Sequence, residues 1–421
     1  MTANREIPKL THKSSALVLS GGGARAAYQA GVLKALAELT PAESPNPFQI
    51  ICGTSAGAVN ALLLASHRGT FREAVERLCA LWAELTVEQI YNSSWRSLLG
   101  NVLSISRSLF NQGVARRKPL ALLDNQPLRQ LIDQAIDFGS LRQNIEQGRL
   151  RAVCVNAMSY SAGESVSFFQ GMEDLCEWRR FRRYGTRTIL TADHLMASTA
   201  IPTLFPTVRI GNDYFGDGAV RQLAPISPAL HLGASRVFVV GVSSNRSPVH
   251  WGKRRSMTPR HSPSMAQIAG QLFNAAFIDS LEGDLEHLDR VNHLLDAVPG
   301  DELLQLAPLR PVESAVIEPS QSLDRLAGRK VRYLPSALRW LFRATGATTS
   351  GGGASAASYL LFEKPFLGEL MELGYQDAMW EQAKLRDFLQ PETAEPETEQ
   401  RGFFGRKVKP EAETGDGKTQ A

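Results

Sequence analysis

The chain has 421 residues, 43% of them apolar, and a formal net charge of +4 at pH 7. That length admits roughly two or three domains; the composition allows an ordinary buried core, and the small positive excess fits an anionic lipid surface while making no case for nucleic acid. Cys52, Cys79, Cys154 and Cys176 are widely spaced with no Cys-x-x-Cys pair, which argues against a disulfide framework or thiolate metal site and for reduced thiols in a cytosolic setting.

Residues 1–14 read as a polar arm, and Met1 to Pro8 lack the apolar core of a secretory signal. Ala16-Leu17-Val18-Leu19 then reads as a short buried strand running into Ser20-Gly21-Gly22-Gly23-Ala24-Arg25. Tyr28, Val32, Leu33, Leu36 and Leu39 recur at helical spacing directly afterwards. A second apolar run, Gln49-Ile50-Ile51-Cys52, leads into Gly53-Thr54-Ser55-Ala56-Gly57. This Gly-x-Ser-x-Gly pattern between a strand and a helix is that of a nucleophile elbow, which exposes a serine hydroxyl at a sheet edge. Residues 85–110 carry Tyr91, Trp95, Leu98, Leu99, Val102, Leu103, Ile105, Leu109 and Phe110, followed by Arg116, Arg117 and Lys118. They read first as an amphipathic helix pair packed on the sheet, and alternatively as a lid or interfacial segment.

Further strands are expected at residues 151–157 and 236–242. Between them, residues 196–206 read as a helix end entering a Pro-bounded loop, and Asp217-Gly218-Ala219 closes a short extended segment. Residues 245–264, with Lys253, Arg254, Arg255 and Arg260, read as an exposed basic loop. A helix is expected from about Met265, with Ile268, Leu272, Phe273, Ala276 and Ile278 on one face. Another strand is expected at residues 314–319. The uncharged stretch 344–362 reads as a loop from its Thr, Ser and Gly content. From about residue 390, Pro, Glu, Thr, Gly and Lys predict a disordered tail. No run reaches membrane-spanning character.

Three of these features combine into one chemistry. Backbone N–H groups of a glycine-rich turn at a helix start form an anion site, which in a serine hydrolase would receive the oxygen of a tetrahedral intermediate. A carboxylate such as Asp217 can accept the proton of Ser55. Each feature also has a plainer reading: Ser55 as a helix cap, Asp217 as a turn former, and Arg25 as a solvated residue rather than a brace for the turn. Gly21 to Ala26 also fits the dinucleotide pattern G-x-G-x-x-A, but the next strand ends without the carboxylate that would hold a ribose. A Walker loop fails for lack of a Gly-Lys-Ser/Thr.

With its glycine-rich turn, Gly53 to Gly57 and Asp217-Gly218-Ala219 in that order, the chain resembles the patatin-like phospholipases over residues 14–228. The resemblance implies an α/β fold, a three-layer α/β/α sandwich around a mostly parallel sheet. It also implies a Ser–Asp dyad without histidine: Ser55 as nucleophile, Asp217 as base, and Gly22, Gly23 and Ala24 as oxyanion donors. Gly21, Arg25, Gly53, Gly57 and Gly218 support them. One departure is visible, Ala26 where many members carry glycine. The expected organisation is the arm, a catalytic domain over 15–245, a mainly helical extension over 246–389, and the tail over 390–421. The expected substrate is a phospholipid or lysophospholipid met at a membrane surface from the cytoplasmic side, with no metal or cofactor. The alternatives are a Ser–His–Asp esterase of small esters, drawing on one of the eight histidines, and a non-catalytic lipid-binding scaffold.

Overall fold

The computed structural model describes residues 14–110, 121–243, 268, 279–297, 310–344 and 353–390. The polar arm (bar residue 14), Arg116 to Lys118, the basic loop and the tail after residue 390 lie outside these, as does the helix expected from Met265 apart from Ile268.

Ten strands form one sheet. They are β1 (Ser14–Leu19), β2 (Ile50–Thr54), β3 (Ala152–Ser159), β4 (Ser165–Gly171), β5 (Trp178–Arg180), β6 (Arg183–Arg187), β7 (Val208–Ile210), β8 (Asp213–Asp217), β9 (Ala234–Val240) and β10 (Glu313–Ile317). The order is β10-β9-β1-β2-β3-β4-β6-β5, with β8 on β3 and β7 on β8. The run β10-β9-β1-β2-β3 is parallel, as is β4–β6; β3–β4, β3–β8, β5–β6 and β7–β8 are antiparallel.

The central strands read as unbroken apolar runs because both faces are covered. Leu17, Leu19, Ile51, Val153, Val155, Phe238 and Val240 face one core. Their neighbours Ala16, Val18, Ile50, Cys52, Ala152, Cys154, Val237 and Val239 face the other. The first core is shared with α1 (Ala27–Leu39), α2 (Ala56–Ser66), α3 (Phe71–Glu84) and the helix Lys364–Trp380, which packs along α1. The second is shared with Ser227–His231 and Asp279–Asp296. These three layers are the α/β/α arrangement expected from the sequence, with helices of the C-terminal region added.

One expectation is corrected. Gly353–Leu360, within the stretch read as a loop, is a helix. Its small residues pack instead of breaking the chain: Ser355, Ala356, Ala357, Ser358 and Tyr359 are buried. The helix lies against Leu323–Lys330 and the glycine-rich turn.

Candidate active site

β1 and β2 run parallel with Leu19 opposite Gly53, so the turns that follow them leave the sheet side by side. β2 in turn has Thr54 opposite Asn156 of β3, and β8 runs antiparallel to β3 with Asp217 opposite Ala157. Sheet register therefore brings three distant segments to one edge: the glycine turn, Ser55 and Asp217.

Ser55 follows β2 directly and has φ 54° and ψ −129°. L-residues avoid this backbone, at a cost of about 1–3 kcal/mol when the surroundings impose it. The fold imposes it through close packing at Gly57, where a Cβ would collide with the carbonyl oxygens of Leu19 and Ser20. The Ser55 N–H donates to Ser198 Oγ (2.8 Å), and that hydroxyl donates to the Asn156 carbonyl (2.6 Å). Although Ser55 stands at the N-cap position of α2, its side chain makes no cap bond. Its hydroxyl donates to Asp217 Oδ2 at 2.6 Å.

Asp217 is fully buried at the end of β8. Its N–H donates to the Ala200 carbonyl (2.9 Å), tying it to the loop after the helix Ala192–Ser198. Oδ1 accepts from the Ala219 N–H (3.0 Å), so the turn-forming reading of Asp217 coexists with its bond to Ser55. Burial pushes its carboxyl up to about 7, opposed by the bonds from Ser55 and Ala219. Gly53 lies inside β2, and Gly218 opens the short turn Gly218–Val220.

Gly21 and Gly22 are buried in the loop after β1, and Gly23–Ala26 is a single 3₁₀ turn. Gly23 has φ +56°, and a Cβ there would strike the Tyr359 carbonyl oxygen, so the turn needs glycine twice over. The N–H groups at the start of such a turn have no partner within it. Arg25 is not solvated. It is 2% exposed, its guanidinium lies 4.0 Å over the Tyr359 ring, Nε donates to Ser358 Oγ (2.8 Å), and it pairs with Asp324. It braces the turn against the C-terminal region.

Gly23, Ser55 and Ala56 open into a pocket of about 550 Å³, open mouth included. Its other walls are Val59, Leu81, Trp82, Leu85, Ile90, Leu128, Leu131, Thr199, Ile201, Phe205, Tyr359 and Phe362. Among the described residues, no charged side chain lines it.

The described histidines stand elsewhere. His194 Nδ1 accepts from the Thr191 N–H at 3.1 Å, with the ring against Phe168. His231 bonds to the Ser227 carbonyl and stacks on Trp178. Among the described residues no histidine bonds to Ser55 or Asp217; His12, His250 and His261 lie outside them. Sequence reasoning missed Ser198, Asn156, Asp324 and Tyr359. Ser198 sat inside the block read as a helix end entering a Pro-bounded loop, Asn156 inside an expected strand, and Tyr359 in the stretch read as a loop; none was assigned a role there.

Helices on both faces of a mostly parallel sheet, with Ser55 on a strained turn beside the glycine turn, define an α/β/α protein of the patatin-like fold. Residues 17–230, just over half of the chain, match the model of the patatin-like phospholipases, and the chain belongs to that family. Membership supports lipid hydrolase activity as the class of reaction. Among solved structures, VipD from Legionella pneumophila is similar at 14% identity and TM-score 0.34, covering 89% of this chain and 67% of that one. Human group IVD cytosolic phospholipase A2 gives 10%, 0.41, 92% and 60%. The type III effector ExoU gives 11%, 0.34, 89% and 54%. No curated protein matches by sequence.

Proposed function

We propose that the chain hydrolyses carboxylic esters of phospholipids or lysophospholipids through a Ser55–Asp217 dyad and an acyl-serine intermediate. One observation carries this reading: a direct 2.6 Å bond from the Ser55 hydroxyl to a buried carboxylate, at the floor of an uncharged pocket. The acyl chain lies in the pocket and its ester carbonyl sits at Ser55. Ser55 Oγ attacks the carbonyl carbon while Asp217 takes the hydroxyl proton. The oxyanion receives N–H bonds from Gly22, Gly23 and Ala24, a term of about 3 kcal/mol per donor. The positive end of α2 adds to it. Collapse breaks the ester bond, and the departing alcohol takes the proton from Asp217. A water, deprotonated by Asp217, then attacks the acyl-serine; the Ser55 Oγ–acyl bond breaks, Oγ takes that proton back from Asp217, and the fatty acid leaves.

The test is labelling with a fluorophosphonate probe alongside fatty-acid release from phosphatidylcholine and lysophosphatidylcholine. Wild type labels and releases fatty acid, Ser55→Ala does neither, and Asp217→Asn loses most turnover. Labelling that survives Ser55→Ala, or turnover that survives Asp217→Asn and falls with a histidine replacement, overturns the dyad.

A further inference from the structure

A lipid hydrolase must bring its pocket to a lipid surface. One exposed face fits that need and takes no part in the chemistry above. In the helix Trp95–Phe110, Trp95, Leu99 and Leu103 recur every fourth residue and are 40%, 53% and 52% exposed. Trp95 packs against Trp340 of the helix Ser336–Ala344 with ring centres 5.6 Å apart, and its indole N–H donates to Ser336 Oγ (3.2 Å). Trp340 is 50% exposed, and Tyr333 nearby in sequence is 40% exposed. Half-buried indoles of this kind suit the boundary between water and acyl chains.

The two helices that form this ridge carry basic residues and no acidic one. Residues 95–110 contain Arg96 and Arg107 and no acidic residue. Residues 325–344 contain Arg325, Arg329, Lys330, Arg332, Arg339 and Arg343 and no acidic residue. Lys330 pairs with Glu369, while Arg96, Arg325, Arg329 and Arg332 are exposed. The face also adjoins the pocket. Tyr91, four residues before Trp95, donates its hydroxyl to the Leu360 carbonyl (2.7 Å), and Leu360 stands between the pocket residues Tyr359 and Phe362.

Building on the lipid-ester reading, we propose that this ridge and its arginine border dock the chain on an anionic bilayer and turn the pocket mouth toward it. The tryptophans and leucines enter the acyl boundary, and the guanidiniums meet headgroup phosphates.

The experiment is vesicle flotation of full-length Ser55→Ala protein, in which no lipid is cleaved. Vesicles of phosphatidylcholine alone are compared with equimolar phosphatidylcholine and phosphatidylglycerol. The protein floats with the anionic vesicles, and high salt releases it. Adding Arg325→Glu, Arg329→Glu and Arg332→Glu weakens binding at least about tenfold. Trp95→Ala with Trp340→Ala removes the blue shift of tryptophan emission on vesicle addition. Trp380→Ala, at a residue 91% exposed outside this face, changes neither readout. Equal partition to both vesicle types, or binding indifferent to the charge reversals in protein with an unaltered thermal melt, overturns the proposal. Wild type that cleaves a soluble ester yet floats with neither vesicle defeats docking alone. Wild type that floats but cleaves no lipid ester defeats the catalytic reading alone.

Discussion

At ordinary acidity a carboxylate is a weak base, with a pKa near 4. Burial brings Asp217 to about 7, which suits the base role proposed for it near neutral pH. Two outcomes follow at the scale of this residue. Turnover requires the carboxylate, so kcat/KM for a soluble ester should rise with pH through an apparent value near 7 and level off above it. A stopped pH–rate series measures this; a limb near pH 4 would show an ordinary carboxylate at work. The second outcome concerns stability. The folded state holds the proton that the unfolded chain, with a pKa near 3.9, releases. The protonated form therefore stabilises the fold fully below pH about 4, and that contribution is lost as pH rises to about 7. Asp217→Asn cannot ionise, so it should be more stable than wild type at pH 8, on the order of 2–4 kcal/mol, and equal to it near pH 3.5. Denaturant melts at the two pH values read the difference. Ser55 offers a parallel test of strain. Both Ser55→Gly and Ser55→Ala lose the bond to Asp217, but only glycine adopts φ 54° and ψ −129° freely. Ser55→Gly should therefore melt higher than Ser55→Ala, by about 1 kcal/mol or more.

Among the elements, what was legible in the sequence depended on unbroken apolar runs: β4 is buried from Ser165 to Phe169 yet was not expected, because Ser165 and Ser167 interrupt its run. β10, at one end of the sheet, buries only Ala315 and Ile317, while β1, β2, β3 and β9 are covered on both faces, so each of these four reads as an apolar run without a helix period. β5 and β6 do not: Arg179, Arg180, Arg183 and Arg187 make them look like loop, because they lie at the exposed end of the sheet. β7 has three residues, too few to show alternation. The turn residues of the candidate site were legible because backbone geometry restricts them to particular types: glycine at the turn and elbow, Asp-Gly at the end of β8. Ser198 was not, since a helix C-terminus accepts many residues and only the fold aims its hydroxyl at the Ser55 N–H. Ser198→Ala should leave that buried N–H unpaired at a cost of about 1–3 kcal/mol. Part of that cost should appear as a looser elbow, with kcat falling about tenfold. A melt and a steady-state assay on the same protein measure both; unchanged kcat would reduce Ser198 to a packing residue.

Across the whole molecule, the chain returns from its far end to hold the site. Arg25 finds Asp324 and Ser358 at separations of 299 and 333 residues, beyond any local pattern. Tyr359 lies over the guanidinium, crowds Gly23 and lines the pocket. The turn assigned to the oxyanion is thus shaped by residues 323–360 as much as by its own glycines. Asp324 is one-third exposed and Arg25 almost wholly buried. Removing the acid takes one partner from the buried guanidinium, and water reaches one side of the pair, so the cost should be about 1–3 kcal/mol rather than the 3–5 of a fully enclosed pair. Asp324→Asn should therefore lower the melting temperature modestly. It should also lower kcat for a soluble ester about tenfold through a displaced turn, while KM, set by the pocket walls, stays within about twofold. Asp324→Glu, which keeps the charge, should recover most of both losses. Steady-state kinetics on the two variants decide the matter. A change in KM alone, or equal loss in Asn and Glu variants, would show that this ion pair shapes the pocket and not the turn.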